Sequence, residues 1–150
     1  MSDDLLVAHD GGVTTLTINR PPLNLMTMSL LEDIVSALET LASRDKTRAI
    51  VIRGSGTRAF CAGADLKSGS ETDPASASAM REMGMFMIDL IEEHPKPVIS
   101  AVRGWCIGGG TAIAWPCDIR LAAASAKFAT ALVVASVRPS SPRQSASARR

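Results

Sequence analysis

The stretch from Lys96 to Ala123 constrains the fold most, because it sets out a strand, a turn, a helix start and a second strand in quick succession. Pro97 to Val102 (PVISAV) is a short apolar run with two valines and an isoleucine, which reads as a buried strand. Gly104 allows a turn. Gly108, Gly109 and Gly110 then open an apolar segment, Thr111 to Trp115, expected to be helical. Glycines at a helix start let another group approach the backbone with no Cβ in the way. The first turn of a helix also carries unpaired N–H groups at the positive end of its dipole. Such a place holds an anion, or an oxygen that becomes negative during a reaction. A glycine-rich strand-to-helix turn with no ligand satisfies the same residues. Both readings stand at this point.

Composition narrows the partners. A chain of 150 residues is one domain's worth, and its net charge of +1 gives nucleic-acid binding no global electrostatic support. All the acids lie at or before Asp118, while Arg120, Lys127, Arg138, Arg143, Arg149 and Arg150 follow it. No apolar run approaches a membrane span, and the start MSDDLLVAHD is acidic, unlike a signal peptide. The expectation is a cytoplasmic protein away from membranes. Cys61, Cys106 and Cys117 form no C-x-x-C pair, so they read as reduced thiols and not as a metal site.

Elsewhere the periodicities are plain. Leu5 to His9 and Val13 to Asn19 flank Asp10-Gly11-Gly12 and predict a hairpin. Ser29 with Glu32 forms a capping-box pattern ahead of Leu30, Leu31, Ile34, Val35, Leu38 and Leu41, which keep helical spacing. Ala49 to Arg53 reads as a buried strand. Gly54-Ser-Gly-Thr-Arg-Ala59 matches the dinucleotide pattern G-x-G-x-x-A, with Glu71 and Asp73 downstream. That fingerprint needs a helix directly after its glycines. Here Gly63, Gly69 and Pro74 follow instead, so residues 54–65 are expected to be a loop.

A second long helix is expected over Ala77 to Glu93, with Met80, Met83, Gly84, Met87, Ile88 and Ile91 on one face. His94 is expected at its exposed end, and neither it nor His9 has a triad-like neighbour. Asp118 to Ala123 predicts another strand, and Lys127-Phe128 the start of the next. From Ser136 onward the chain reads SVRPSSPRQSASARR, basic and without acids, aromatic residues or periodicity, as a disordered tail would be. The expected domains are a core over 1–130 and this tail over 131–150.

Two stretches together are far more specific than either alone. Ala59-Phe-Cys-Ala-Gly-Ala-Asp-Leu66, and the glycine triplet followed by Cys117-Asp118, resemble the enoyl-CoA hydratase/isomerase (crotonase) family. Asn19-Arg20-Pro21 with Leu23-Asn24, and Lys96-Pro97-Val98, add to the resemblance, which runs from about Leu5 to Phe128. It implies an α/β fold of repeated ββα units with helices packed outside, and an acyl-coenzyme A thioester as ligand. It implies no metal and no covalently bound cofactor. In the family, two backbone N–H groups form an oxyanion hole, carried over here to Ala62 and Gly109. Leu23, Ala62, Gly63, Ala64, Asp65, Gly108 and Gly109 would border the thioester and its coenzyme, and Lys67 would meet the adenine or phosphates.

The chain also departs from the pattern. The family's hydratases carry two glutamates for proton transfer. At the matching positions this sequence has Ala112 and Leu132, neither of which moves a proton. No carboxylate side chain follows Asp118. The family's further C-terminal helices, which support trimers and hexamers, have no counterpart in residues 131–150. The expectation is a chain whose family-like part is truncated, with a frameshift or mispredicted end near Ala131, and with doubtful trimerisation. A non-catalytic acyl-CoA binding module and an inactive fragment are the alternative expectations.

Overall fold

The computed structural model describes residues 2–65 and 74–130. In chain order the elements are β1 (Leu5–Asp10), β2 (Val13–Ile18), α1 (Met28–Ala42), β3 (Ala49–Gly54), β4 (Ala59–Cys61), α2 (Pro74–Glu92), β5 (Val98–Val102), β6 (Trp105–Ile107), α3 (Gly109–Ala114), β7 (Ile119–Ala122) and β8 (Lys127–Ala129). The predicted hairpin joins β1 to β2 antiparallel, with Leu5 opposite Ile18. Every later pairing is parallel. β2, β3, β5 and β7 follow one another across a five-stranded sheet of order β1-β2-β3-β5-β7. β4, β6 and β8 form a smaller parallel sheet.

Each step across the large sheet thus repeats one unit: a large-sheet strand, a small-sheet strand, then a helix. β3-β4-α2 and β5-β6-α3 are two such units, and β7-β8 begins a third. This is the ββα repeat that the family resemblance implied. The core follows from the alternation along the strands. Leu16 and Ile18 of β2, Ile50 and Ile52 of β3, and Val98 and Val102 of β5 are buried in one cluster with Leu30, Ile34, Leu38 and Leu41 of α1. Phe60 of β4 and Ile113 of α3 join the same cluster, so one core lies beneath both sheets.

Several local readings need correction. The cap of α1 is Thr27, whose Oγ1 accepts from Leu30 N–H at 3.2 Å, and not Ser29, which lies inside the helix. Residues 54–65 contain a strand, β4, where a loop was expected. β6 is a second unpredicted strand. Both are three residues long and lie close to glycines, too short for alternation to register. α2 begins at Pro74, whose missing N–H is harmless in the first turn. Of its expected apolar face only Met87 and Ile91 are fully buried, with Met80 and Met83 packed partly against the core.

His94 is not an exposed helix end. Its ring is half-buried, with Nε2 3.1 Å from Leu38 O and Nδ1 accepting from Lys96 N–H at 3.2 Å. Beside it, Lys96 Nζ donates to Leu41 O and to Arg44 O, each at 2.6 Å. Together they add side-chain donors to carbonyls at and just beyond the end of α1, where Leu41 O and Arg44 O also accept from Arg44 and Thr47 N–H. Both histidines therefore have structural partners, since His9 Nδ1 lies 2.8 Å from Thr14 Oγ1. Among the described residues, no helix is long and apolar enough to cross a membrane. The tail over 131–150, Leu132 within it, and Lys67, Glu71 and Asp73 lie outside the described residues.

Candidate functional site

The segment 62–65 leaves β4 and runs beside residues 23–26. Ala62 N–H donates to Leu23 O at 3.0 Å, Met26 N–H to Gly63 O at 2.8 Å, and Asp65 N–H to Met26 O at 2.8 Å. Met26 and Ala64 form an isolated parallel bridge. In such a bridge the bonds run from Met26 to the residues either side of Ala64, and the N–H of Ala64 itself points the other way. Gly63 makes this possible with φ +102°, a backbone state that residues with a Cβ rarely adopt.

Ala62 was expected to supply an oxyanion donor. Its N–H already serves Leu23 O. Within this segment Ala64 N–H has no acceptor among the described residues. Sequence reasoning placed Ala64 among the bordering residues without giving it this role. Only the turn of the backbone at Gly63 distinguishes the two alanines.

The glycine triplet approaches from the other side. Gly108 sits at φ +52° and caps α3, its carbonyl accepting from Ala112 N–H at 3.0 Å and from Thr111 Oγ1 at 2.6 Å. Gly109 is the first residue of α3, so its N–H has no partner within the helix. A Cβ placed on Gly109 would lie 3.9 Å from the carbonyl carbon of Gly63, the atom bonded to Ala64 N, and 3.6 Å from Met26 Cβ. Gly109 and the Gly63–Ala64 peptide therefore lie close together, and neither Ala64 N–H nor Gly109 N–H has an acceptor among the described residues. Gly110 closes the gap behind them, since a Cβ there would collide with Cys61 O of β4. With only six residues, α3 contributes chiefly local N–H groups and little macrodipole.

A cavity of about 300 Å³ lies alongside, lined by Asp4, Arg20, Pro21, Pro22, Leu23, Leu25 and Asp65. Arg20 organises it: Nε pairs with Asp4 at 3.1 Å, Nη2 with Asp65 at 3.3 Å, and Nη1 donates to Leu25 O at 2.8 Å. Asp65 is thus tied into the wall of this cavity. Ala112 is on α3, and Asp118 accepts from Val98 N–H at 2.8 Å, pinning the start of β5. Trp115 meets Phe128 edge to face, with ring centroids 6.2 Å apart.

The sequence of the site and the fold that positions it match known proteins. The family description "Enoyl-CoA hydratase/isomerase" matches residues 8–139. The chain belongs to the enoyl-CoA hydratase/isomerase family. A probable enoyl-CoA hydratase of Bacillus subtilis is 39% identical over 123 residues, covering 81% of this chain and 47% of that protein. The mitochondrial methylglutaconyl-CoA hydratase of Mus musculus is 37% identical, covering 84% of this chain and 42% of that protein. A crystal structure of an enoyl-CoA hydratase/carnithine racemase from Magnetospirillum magneticum superposes with a TM-score of 0.80 at 32% identity, covering 87% of this chain and 50% of that one. The chain spans about half the length of the family relatives it matches.

The three cysteines of this family member are buried and free. Burial pushes Cys61 to about 11, from an ordinary value of 9.0. Burial and the neighbouring Cys61 push Cys106 to about 12, and burial raises Cys117 to about 11. A raised thiol pKa leaves stability intact below the unfolded value of 9.0 and erodes it as pH climbs towards 11 and 12. Alkylation of the native protein at pH 8 is therefore expected to be slow, with all three thiols reacting after unfolding. Equal labelling rates in the native and denatured protein would contradict this.

Proposed function

We propose that this chain binds an acyl-coenzyme A thioester and polarises its carbonyl between the N–H groups of Ala64 and Gly109. The observation that carries the reading is their placement: two backbone N–H groups with no acceptor among the described residues, on separate segments that approach each other at Gly63 and Gly109. A thioester carbonyl that becomes an enolate gains negative charge on oxygen. Preorganised N–H groups stabilise that charge with no reorganisation at the moment of reaction. Small residues suit both positions because the backbone does the work. The pantetheine and nucleotide would pass Gly63 and then Leu23 and Asp65, two of the residues that line the 300 Å³ cavity. Lys67 and Gly108 belong to the same proposed border. Family membership and the names of the relatives support a coenzyme A thioester as substrate, with lyase or isomerase chemistry.

A second reading has its own observation. Ala112 stands at the position that the family resemblance gives to an acid/base glutamate, and Asp118, the last Asp or Glu of these 150 residues, accepts from Val98 N–H. These 150 residues are then an acyl-CoA binder that polarises without transferring a proton. The test is a titration of the purified chain with cinnamoyl-CoA, whose conjugated thioester absorbs at longer wavelength when its carbonyl accepts strong hydrogen bonds. Saturable binding with a red-shifted band supports polarisation; binding with an unmoved band would sink it. Hydration of a short enoyl-CoA at ordinary enzyme rates would rule out the second reading.

A further inference from the structure

A backbone N–H has no rotamer, so only the placement of its strand can aim it. Ala64 lies in the segment 62–65 that continues β4; β4 pairs with β6, and residues 23–26 run beside the segment. Residues 23–26 are not a regular strand, and Asn24 sits among them with φ +51°, the one non-glycine residue at positive φ among those described. That conformation interrupts the backbone ladder, and the Asn24 side chain fills the break. Its Nδ2 donates to Ala59 O at 2.8 Å and to Ser55 O at 3.0 Å. Its Oδ1 accepts from Arg20 N–H at 3.0 Å and from Ser55 Oγ at 3.2 Å.

The amide is fully buried, and its two donors and its oxygen are all engaged. The opposite amide orientation would set an oxygen against two carbonyls, so the assignment is settled by its partners. The four bonds join three pieces of chain: the turn after β2, the β3–β4 connection and the start of β4. Gly54 packs against the same amide, for a Cβ there would lie 2.7 Å from Nδ2. Asparagine meets both demands of the position. It tolerates the left-handed backbone, and it supplies donors as well as acceptors. Glycine meets only the first, and aspartate lacks the donors.

We infer that Asn24 is a positioning residue, one that fixes the segment of Ala64 so that its N–H faces the thioester oxygen. This rests on the oxyanion reading above. The full chain, Asn24→Asp and Asn24→Gly are titrated with cinnamoyl-CoA, reading affinity and band position separately. Affinity is expected within about threefold of the parent, with the red shift cut to about half or less, because misplacing a donor weakens polarisation before it weakens binding. A merely structural role would lower the folded fraction yet leave the shift per bound thioester unchanged. That result in either folded variant overturns the inference. Ser55→Ala removes one of the four bonds at a half-buried position, and an intermediate shift is expected; if neither Asn24 variant folds, a parental shift in Ser55→Ala overturns it instead. An unshifted band with the parent chain would remove the oxyanion reading itself, and the inference with it.

Discussion

Gly109→Pro is expected to abolish most of the red shift of a bound enoyl thioester, while Gly109→Ala keeps it. The contrast follows from the place of Gly109 at the first position of α3, at a φ that is not positive. Proline suits that position, because the N–H it lacks has no partner in the helix. The substitution therefore removes one donor and leaves the helix in place. Alanine keeps the donor, and its Cβ would meet Met26 Cβ at an ordinary 3.6 Å. In catalytic terms, loss of one such donor corresponds to about 10²–10³ in rate. Difference spectra of both variants saturated with cinnamoyl-CoA decide the matter. A proline variant with the parental band would show that Gly109 N–H does not reach the carbonyl.

The second large effect is on stability. Gly110→Ala is expected to cost about 3 kcal/mol, because a backbone-to-backbone clash relaxes only if an element moves. The new methyl would strike Cys61 O, also approaching Cys61 Cβ at 3.2 Å, so α3 and β4 must separate. Urea unfolding of the two proteins measures this, and a midpoint unchanged within error would refute it. The neighbouring glycines thus answer to different constraints. Gly109 is replaceable by a side chain of the right backbone chemistry, and Gly110 is not.

Much of this was legible in the sequence, for reasons that differ by element. The alternation of VTTLTI and the spacing from Leu30 to Leu41 report burial directly, so β1, β2, α1 and β3 were placed close to their observed bounds. The parallel strands β4 and β6 were missed because three residues beside a glycine carry no period. Their existence depends on pairing with one another across 45 or so residues of chain. Thr27 displaced Ser29 as the cap because the chain turns into α1 two residues earlier than the capping-box pattern implied. The exchange of Ala62 for Ala64 has the same character. Two identical side chains flank Gly63, and only its positive φ and the carbonyl of Leu23, distant in sequence, determine which N–H is left over.

The pairing order of the large sheet has a consequence for how the chain is made. Val13 pairs with Ala49, Ile50 with Val98, and Ile99 with Ile119, so each strand docks on one synthesised before it. At the other border β1 closes the sheet by pairing back on β2. β7 presents the opposite rim, with all four of its residues exposed. The sheet is therefore polar in time as well as in direction. It can accrete unit by unit as the polypeptide leaves the ribosome, and no early strand has to wait for a late partner.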